Sequence, residues 1–96
     1  MTLYVVQVVK VLVVSKLKEF EKIKNNPKNV SKDQLISVLE FFGFIVNSSR
    51  GKGGHFMVGH ELLDRSLPIP SNKPIKQQYV KDCIKMIEEV RENEGR

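Results

Sequence analysis

The spacing of apolar residues changes at Gly43, and this change narrows the folds that the chain can adopt. Before Gly43, Leu35, Leu39 and Phe42 recur every three or four residues, as on one face of an amphipathic helix. After Gly43, short runs of β-branched and aromatic residues are separated by clusters of glycine, asparagine and serine, which is typical of strands joined by turns. Helices that precede a run of strands indicate an α+β fold.

The helix that ends at Gly43 is the best specified of the predicted elements. Ser31 and Gln34 form a capping box at its start, and Gly43 supplies the left-handed residue that stops it. The charged side chains of this helix are assigned to a solvated surface without an evident role; they are Lys32, Asp33 and Glu40.

Three antiparallel strands are predicted after Gly43, at residues 44–49, 55–58 and 65–70. A glycine-rich turn at 51–54 makes the first two a hairpin. Pro68 and Pro70 lack the N–H that a ladder needs, so the third strand is expected at an edge of the sheet.

A last helix is predicted to start at Pro74, which suits the first helical position. Its inner face is expected to consist of Ile75, Tyr79, Val80, Cys83, Ile84, Ile87 and Val90. The predicted order α-α-β-β-β-α gives a two-layer fold with the helices packed on one face of a three-stranded sheet. This is also the order of the core elements in double-stranded-RNA-binding domains.

The N-terminal segment 1–14 is apolar and rich in β-branched residues, and three interpretations stay open for it. It is an extra strand, an aggregation-prone tail, or a stretch outside the functional chain, which would then begin at Val14 or Ser15. With Gln7 and Lys10 inside it, the run is shorter than the roughly 20 residues of a membrane span, and it lacks the pattern of a signal peptide. Residues 15–96 are expected to form one domain, opened by a short helix bearing Leu17, Phe20 and Ile23.

The composition favours an anionic partner and a reducing compartment. Sixteen Lys and Arg against eleven Asp and Glu give a net charge of +5 in 96 residues. The single cysteine, Cys83, excludes an internal disulfide and is expected to be a small core residue, which fits the cytoplasm.

The residues that bear chemistry lie around the glycine-rich turn. His55 opens the second strand, and it falls on the open face of the sheet if Phe56 fills the core. An imidazole exchanges protons near neutral pH, so His55 is the candidate general acid and base, although a histidine that merely begins a strand is the commoner case. Flexible backbone and cations nearby are predicted to bind phosphate; these are Arg50, Lys52, Gly53, Gly54, Lys73 and Lys76.

Other site classes are disfavoured by the sequence. The turn matches neither dinucleotide-binding nor P-loop patterns. His60 is five residues from His55 and therefore lies on the opposite strand face or in the next turn, so no metal site is expected. No nucleophile–histidine pair indicates covalent catalysis, and no small-molecule cofactor is expected.

Taken in order, NNPKNVSKDQLISVLEFFGF, a histidine preceded by glycine in a strand, and LPIPSNKPIKQQYVKDCIKMIEE resemble the HicA-type (YcfA-like) mRNA interferase toxins. The resemblance covers roughly residues 15–89. It implies a double-stranded-RNA-binding-like fold, metal-independent endoribonuclease activity on mRNA, and a HicB-type antitoxin that covers the active site. The catalytic histidine of the family carries over to His55. Gly54 stands where many members have serine, and Phe56 where some have a second histidine.

Two alternatives from other classes remain. A non-catalytic RNA-binding module of the same architecture would share the basic surface and would use His55 as a contact. A small membrane-associated protein would use residues 1–14 as an anchor, whereas the favoured interpretation involves no membrane.

Overall fold

Three helices and a three-stranded antiparallel sheet follow one another in the predicted order α-α-β-β-β-α. The computed structural model describes residues 2–48 and 54–94, with side chains described from residue 10 onward. The elements are α1 (Thr2–Asn25), α2 (Lys32–Phe41), β1 (Ile45–Ser48), β2 (His55–Gly59), β3 (Leu67–Pro70) and α3 (Gln77–Glu94).

The sheet has the strand order β1-β2-β3, which places β3 at an edge as its prolines require. Phe56 and Val58 in the central strand are fully buried, whereas His55 and Met57, which alternate with them, are exposed. In β3, Ile69 pairs with Phe56 and is buried too. One face of the sheet therefore belongs to the core and the other is open, as the two-residue period predicted.

The core is made by the buried face of the sheet and by apolar residues from all three helices. Most of the predicted inner face of α3 is buried, and Met86 joins it although the sequence analysis omitted it. The fully or almost fully buried apolar residues are Phe20, Ile23, Val30, Leu35, Val38, Leu39, Phe44, Phe56, Val58, Ile69, Ile75, Val80, Cys83, Ile84, Met86, Ile87 and Val90.

The capping of α2 is confirmed at both ends. The Ser31 hydroxyl accepts a hydrogen bond from the Gln34 backbone N–H at 3.1 Å. Gly43 adopts a φ of +86°, and its N–H donates to the Glu40 carbonyl at 3.0 Å. These caps fix where α2 ends and where the chain turns into β1.

The prediction of an extra strand at the N-terminus is wrong. α1 runs from Thr2 to Asn25 without a break at the proposed boundary between residues 14 and 15. Once a helical turn exists, each further residue that is fixed adds one hydrogen bond, whereas the first turn fixes three residues for one bond, so the segment anchored by Phe20 can extend through a β-branched run. The alternative start at Val14 or Ser15 stays a hypothesis.

The exposed apolar part of α1 comprises Val11, Leu12, Val13 and Val14. None of the described helices is both long and apolar enough to cross a membrane.

Helix α3 begins later than predicted, at Gln77 rather than at Pro74. Before it, the Ile75 N–H donates to the Val30 carbonyl at 2.9 Å, which ties the loop between β3 and α3 to the segment that enters α2. The Lys76 carbonyl then accepts the Tyr79 N–H at 3.0 Å and opens the helix.

Candidate nucleic-acid interface

The candidate catalytic residue, His55, is the first residue of β2 and lies on the open face of the sheet. It pairs in register with Pro70 of β3 and is exposed. Two residues along the same face, Met57 is 39% exposed and lies between Asn47 and Pro68 on the flanking strands. The strand thus holds the imidazole on a surface that an extended polymer can reach.

Gly54, directly before His55, joins the start of β2 to the end of β3. Its φ is +55°, and its carbonyl accepts the Ser71 N–H at 2.8 Å. A Cβ at position 54 would lie 3.3 Å from the Ser71 Cβ. The Ser71 hydroxyl is buried and has no hydrogen-bond partner among the described residues. Glycine is favoured here by both the left-handed backbone and the close approach of Ser71.

Replacing Gly54 with serine, the residue many HicA-type toxins carry, should therefore lower the free energy of unfolding by about 1–2 kcal/mol, because an L-residue strains at positive φ. Urea unfolding monitored by circular dichroism measures the change. Gly54→Asn is the matched variant, since asparagine tolerates this conformation better and should cost less. A serine variant as stable as the wild type would contradict the backbone argument.

A cavity of about 440 Å³ lies where the loop after β3 meets the start of α2. We call it the Lys32–Lys73 cavity; it is lined by Asn29, Ser31, Lys32, Asp33, Asn72, Lys73 and Pro74. The Lys32 ammonium is 5.2 Å from the centre of the Phe56 ring, the residue next to His55. The cavity is thus in contact with the strand that carries His55, but from the core side of the sheet, which Phe56 faces and the imidazole does not.

Lys32 is a candidate functional residue that the sequence analysis missed, having assigned it to a solvated surface. The capping box at Ser31 does place Lys32 in the first turn of α2, but the sequence gives no signal that Lys73 lies across from it. The two lysines are 41 positions apart, and the fold alone makes them line one cavity.

The structure places the other predicted phosphate-binding residues differently with respect to the cavity. Lys73 lines the cavity, whereas Lys76 is exposed at the start of α3 and is not among the lining residues. Arg50, Lys52 and Gly53 lie outside the described residues, so their part of the prediction stays a prediction.

Some of the cations elsewhere in the described structure are paired with carboxylates. Lys24 lies 2.7 Å from Glu88 and Arg65 lies 2.8 Å from Glu89, and the hydrogen bond with Arg65 lowers the pKa of Glu89. Within residues 10–48 and 54–94, no ion pair involves Lys32, Lys73 or Lys76. Their positive charge is therefore available to an anionic ligand.

His60 has a structural role. It is 9% exposed, and its Nε2 lies 3.1 Å from the Phe42 carbonyl while its Nδ1 accepts the Leu62 N–H at 3.0 Å. Because Nδ1 accepts, Nε2 carries the proton and donates to the carbonyl. The ring also packs edge-on against Phe44 at 4.8 Å. Both nitrogens are occupied in holding the end of α2 against the turn after β2, so His60 cannot assist His55.

The remaining reactive side chains give no second site. Cys83 is buried, as predicted, and burial raises the pKa of its thiol to about 12, so the nucleophilic thiolate is scarce at neutral pH. No group of three or more His, Cys, Asp and Glu side chains in the described parts of the chain is arranged to hold a metal ion.

Comparisons with protein-family models, with curated proteins and with solved structures find no match to this chain.

Proposed function

We propose that this chain is a metal-independent endoribonuclease that cleaves mRNA, the toxin component of a HicA-type toxin–antitoxin pair acting in the cytoplasm. The observation that carries the proposal is the position of His55, exposed on the open sheet face at the strand end where Lys32 and Lys73 line a cavity. A titratable ring at the same end of the sheet as cations that form no ion pair within the described residues suits a phosphodiester substrate. The double-stranded-RNA-binding-like character of the fold belongs to the same proposal.

In the proposed reaction, His55 first acts as a general base and takes the proton of a ribose 2′-hydroxyl. The 2′-oxygen attacks the adjacent phosphorus, and the bond from phosphorus to the 5′-oxygen of the next nucleotide breaks. His55 then returns the proton to that leaving oxygen. The products are a 2′,3′-cyclic phosphate and a free 5′-hydroxyl, with no net consumption of water in this step.

The cations supply the electrostatic part of the mechanism. Lys73 and Lys76, together with Arg50 and Lys52 from the glycine-rich turn, would hold the phosphates of the RNA strand. Lysines that bind phosphates also stabilise the charge that develops on the phosphoryl oxygens during attack. Because phosphate contacts dominate, RNA affinity is expected to fall as salt rises.

The proposed protein partner is a HicB-type antitoxin that covers the open sheet face. To match the unpaired lysines, its contacting surface would be acidic, and it would exclude RNA by occupying the surface around His55. Met57 and Ile45, both exposed on that face, offer it apolar contact.

The deciding experiment incubates the protein with a defined mRNA fragment in EDTA and determines the chemistry of the new ends. The expected result is cleavage that leaves 2′,3′-cyclic phosphate. A matched substrate with a 2′-deoxy nucleotide at the cleaved position should resist, because it lacks the attacking hydroxyl. Intact RNA that remains bound to the protein would contradict the enzyme and support the RNA-binding module instead.

A further inference from the structure

We propose that the Lys32–Lys73 cavity is a nucleotide subsite, which takes one unpaired nucleotide of the RNA strand next to the bond that is cleaved. This inference rests on the proposed function. It identifies where the enzyme would bind a part of the RNA other than the phosphate that reacts, namely in a pocket rather than on a general basic surface.

The size and walls of the cavity suit a mononucleotide. Its volume of about 440 Å³ lies within the roughly 300–1,000 Å³ of small-molecule sites. The Pro74 ring gives an apolar surface for a base, while the side-chain amides of Asn29 and Asn72 offer both hydrogen-bond donors and acceptors. Proteins hold unstacked bases by packing against the face of the base and hydrogen-bonding its edges; here the Pro74 ring, in place of an aromatic side chain, would pack against the base.

The charges of the cavity suit the phosphate of that nucleotide. Lys32 and Lys73 bring two ammonium groups to its wall, and neither forms an ion pair within the described residues. Asp33 is the single acidic residue in the wall. Its carboxylate accepts hydrogen bonds and cannot donate them, so it suits the N–H groups of a base. The phosphate would then lie on the side of the lysines.

The cavity lies at the end of β2 that carries His55. On one side, Lys32 lies over the ring of Phe56, which follows His55 in β2 and points to the core side of the sheet, opposite the imidazole. On the other side, the hydrogen bond from Ser71 to Gly54 joins the start of β2 to the loop that continues into Asn72 and Lys73. Because both walls are attached to the strand end that carries His55, we infer that the RNA strand passes around this end, with one phosphate at His55 on the open face and an adjacent nucleotide in the cavity on the other side.

The test is a nuclear magnetic resonance titration of the full chain with cytidine 3′-monophosphate, with inorganic phosphate as a second probe. Saturable shifts of the backbone amides of Asn29, Lys32, Asn72 and Lys73 are expected with the nucleotide, and smaller ones with phosphate. Shifts that are equal for both probes would show that the cavity binds anions without recognising the nucleoside, and would overturn the inference. Nucleotide shifts that avoid these four residues would overturn it too.

Two variants of the cavity wall and one control variant test whether the nucleotide binds in the cavity rather than to positive charge in general. Lys32→Met keeps the aliphatic stem over Phe56 but removes the charge, and should weaken the nucleotide Kd by about tenfold. Asn29→Gly removes an amide from the wall while keeping the positive φ of 60° that Asn29 adopts, so the backbone need not change. Lys28→Met removes an exposed charge outside the cavity and should leave Kd unchanged. Equal losses in Lys32→Met and Lys28→Met would show general electrostatic binding and overturn the subsite.

Failure of the subsite and failure of the proposed function give different results. In one case the wild type cleaves RNA, Lys32→Met cleaves with the same kcat/KM, and the nucleotide shifts avoid the cavity. The subsite would then be wrong, while the proposed nuclease activity would be supported. If the wild type leaves RNA intact, the nuclease is wrong, and nucleotide shifts in the cavity would then mark a site of RNA binding alone.

Discussion

Replacement of His55 by alanine should reduce the rate of RNA cleavage by about 10²–10⁴-fold, the usual contribution of general acid–base catalysis. The reason is that one imidazole both removes the 2′-hydroxyl proton and protonates the leaving oxygen in the proposed reaction. His60 cannot replace it, since both of its ring nitrogens are hydrogen-bonded inside the fold. The measurement is kcat/KM on a defined RNA, with EDTA present.

The fold should survive this change. His55 is exposed on the open sheet face, and substitutions at such positions usually alter the free energy of unfolding by no more than about 0.5 kcal/mol. RNA affinity should also change little, because the lysines rather than the imidazole are proposed to bind the phosphates. His55→Gln, which keeps a polar side chain without proton exchange, should be as inactive as His55→Ala.

Met57→Ala is the matched control for this experiment. Met57 lies on the same face of the same strand, two residues away, and is 39% exposed. Its removal deletes contact surface but no titratable group, so cleavage should fall only through weaker RNA binding. A His55→Ala enzyme that cleaves at the wild-type rate, or that loses no more than Met57→Ala, would end the assignment of His55 as the catalytic residue.

The parts of the fold that could be predicted from the sequence are those with strong local signals. The cap at Ser31, the stop at Gly43 and the alternation around Phe56 each depend on neighbours in the chain, and all three are confirmed; of the predicted capping box, the bond from the Gln34 N–H to the Ser31 hydroxyl is the part observed. Local rules suffice there because a cap satisfies nearby backbone groups and a strand period sorts adjacent side chains to opposite faces.

The parts that could not be predicted depend on residues far apart in the sequence. The β-branched N-terminal run favours a strand by local propensity, yet it continues a helix whose other end is held by Phe20 in the core. Similarly, Pro74 is a good first residue for a helix, but α3 begins only at Gln77, after Ile75 has bonded to Val30 in the segment that enters α2. Tertiary contacts outweigh such weak local preferences.

The candidate site also contains one residue that could be predicted from the local sequence and one that could not. His55 could be identified because a histidine after a glycine-rich turn is visible in the sequence. The two-residue period of the strand then predicted that His55 lies on the open face of the sheet. Lys32 could not, since its importance depends on Lys73 lying across the same cavity, and that depends on how the loop after β3 packs against α2.

Replacement of Phe20 by alanine should have the largest effect on stability, a loss of about 3–5 kcal/mol in the free energy of unfolding. Phe20 is 1% exposed and anchors α1 against the other helices. Its ring packs edge-on against Phe42 after α2 with centroids 5.1 Å apart, and the Arg91 guanidinium of α3 lies 5.7 Å from its centre. Alanine would leave a cavity at this junction and remove the aromatic and cation–π contacts together.

Such a loss is a large share of the roughly 5–15 kcal/mol that stabilises a domain of this kind, so Phe20→Ala should unfold at a much lower urea concentration. Leu12→Ala on the same helix is the control. Leu12 is 57% exposed, so its truncation should cost at most about 0.5 kcal/mol. The pair separates two described parts of α1, because residues 10–14 are exposed whereas Phe20 and Ile23 pack into the core. If Phe20→Ala were no more destabilising than Leu12→Ala, α1 would not be docked on α2 and α3, and its helical course through the apolar N-terminal run would lose the anchor argued for it.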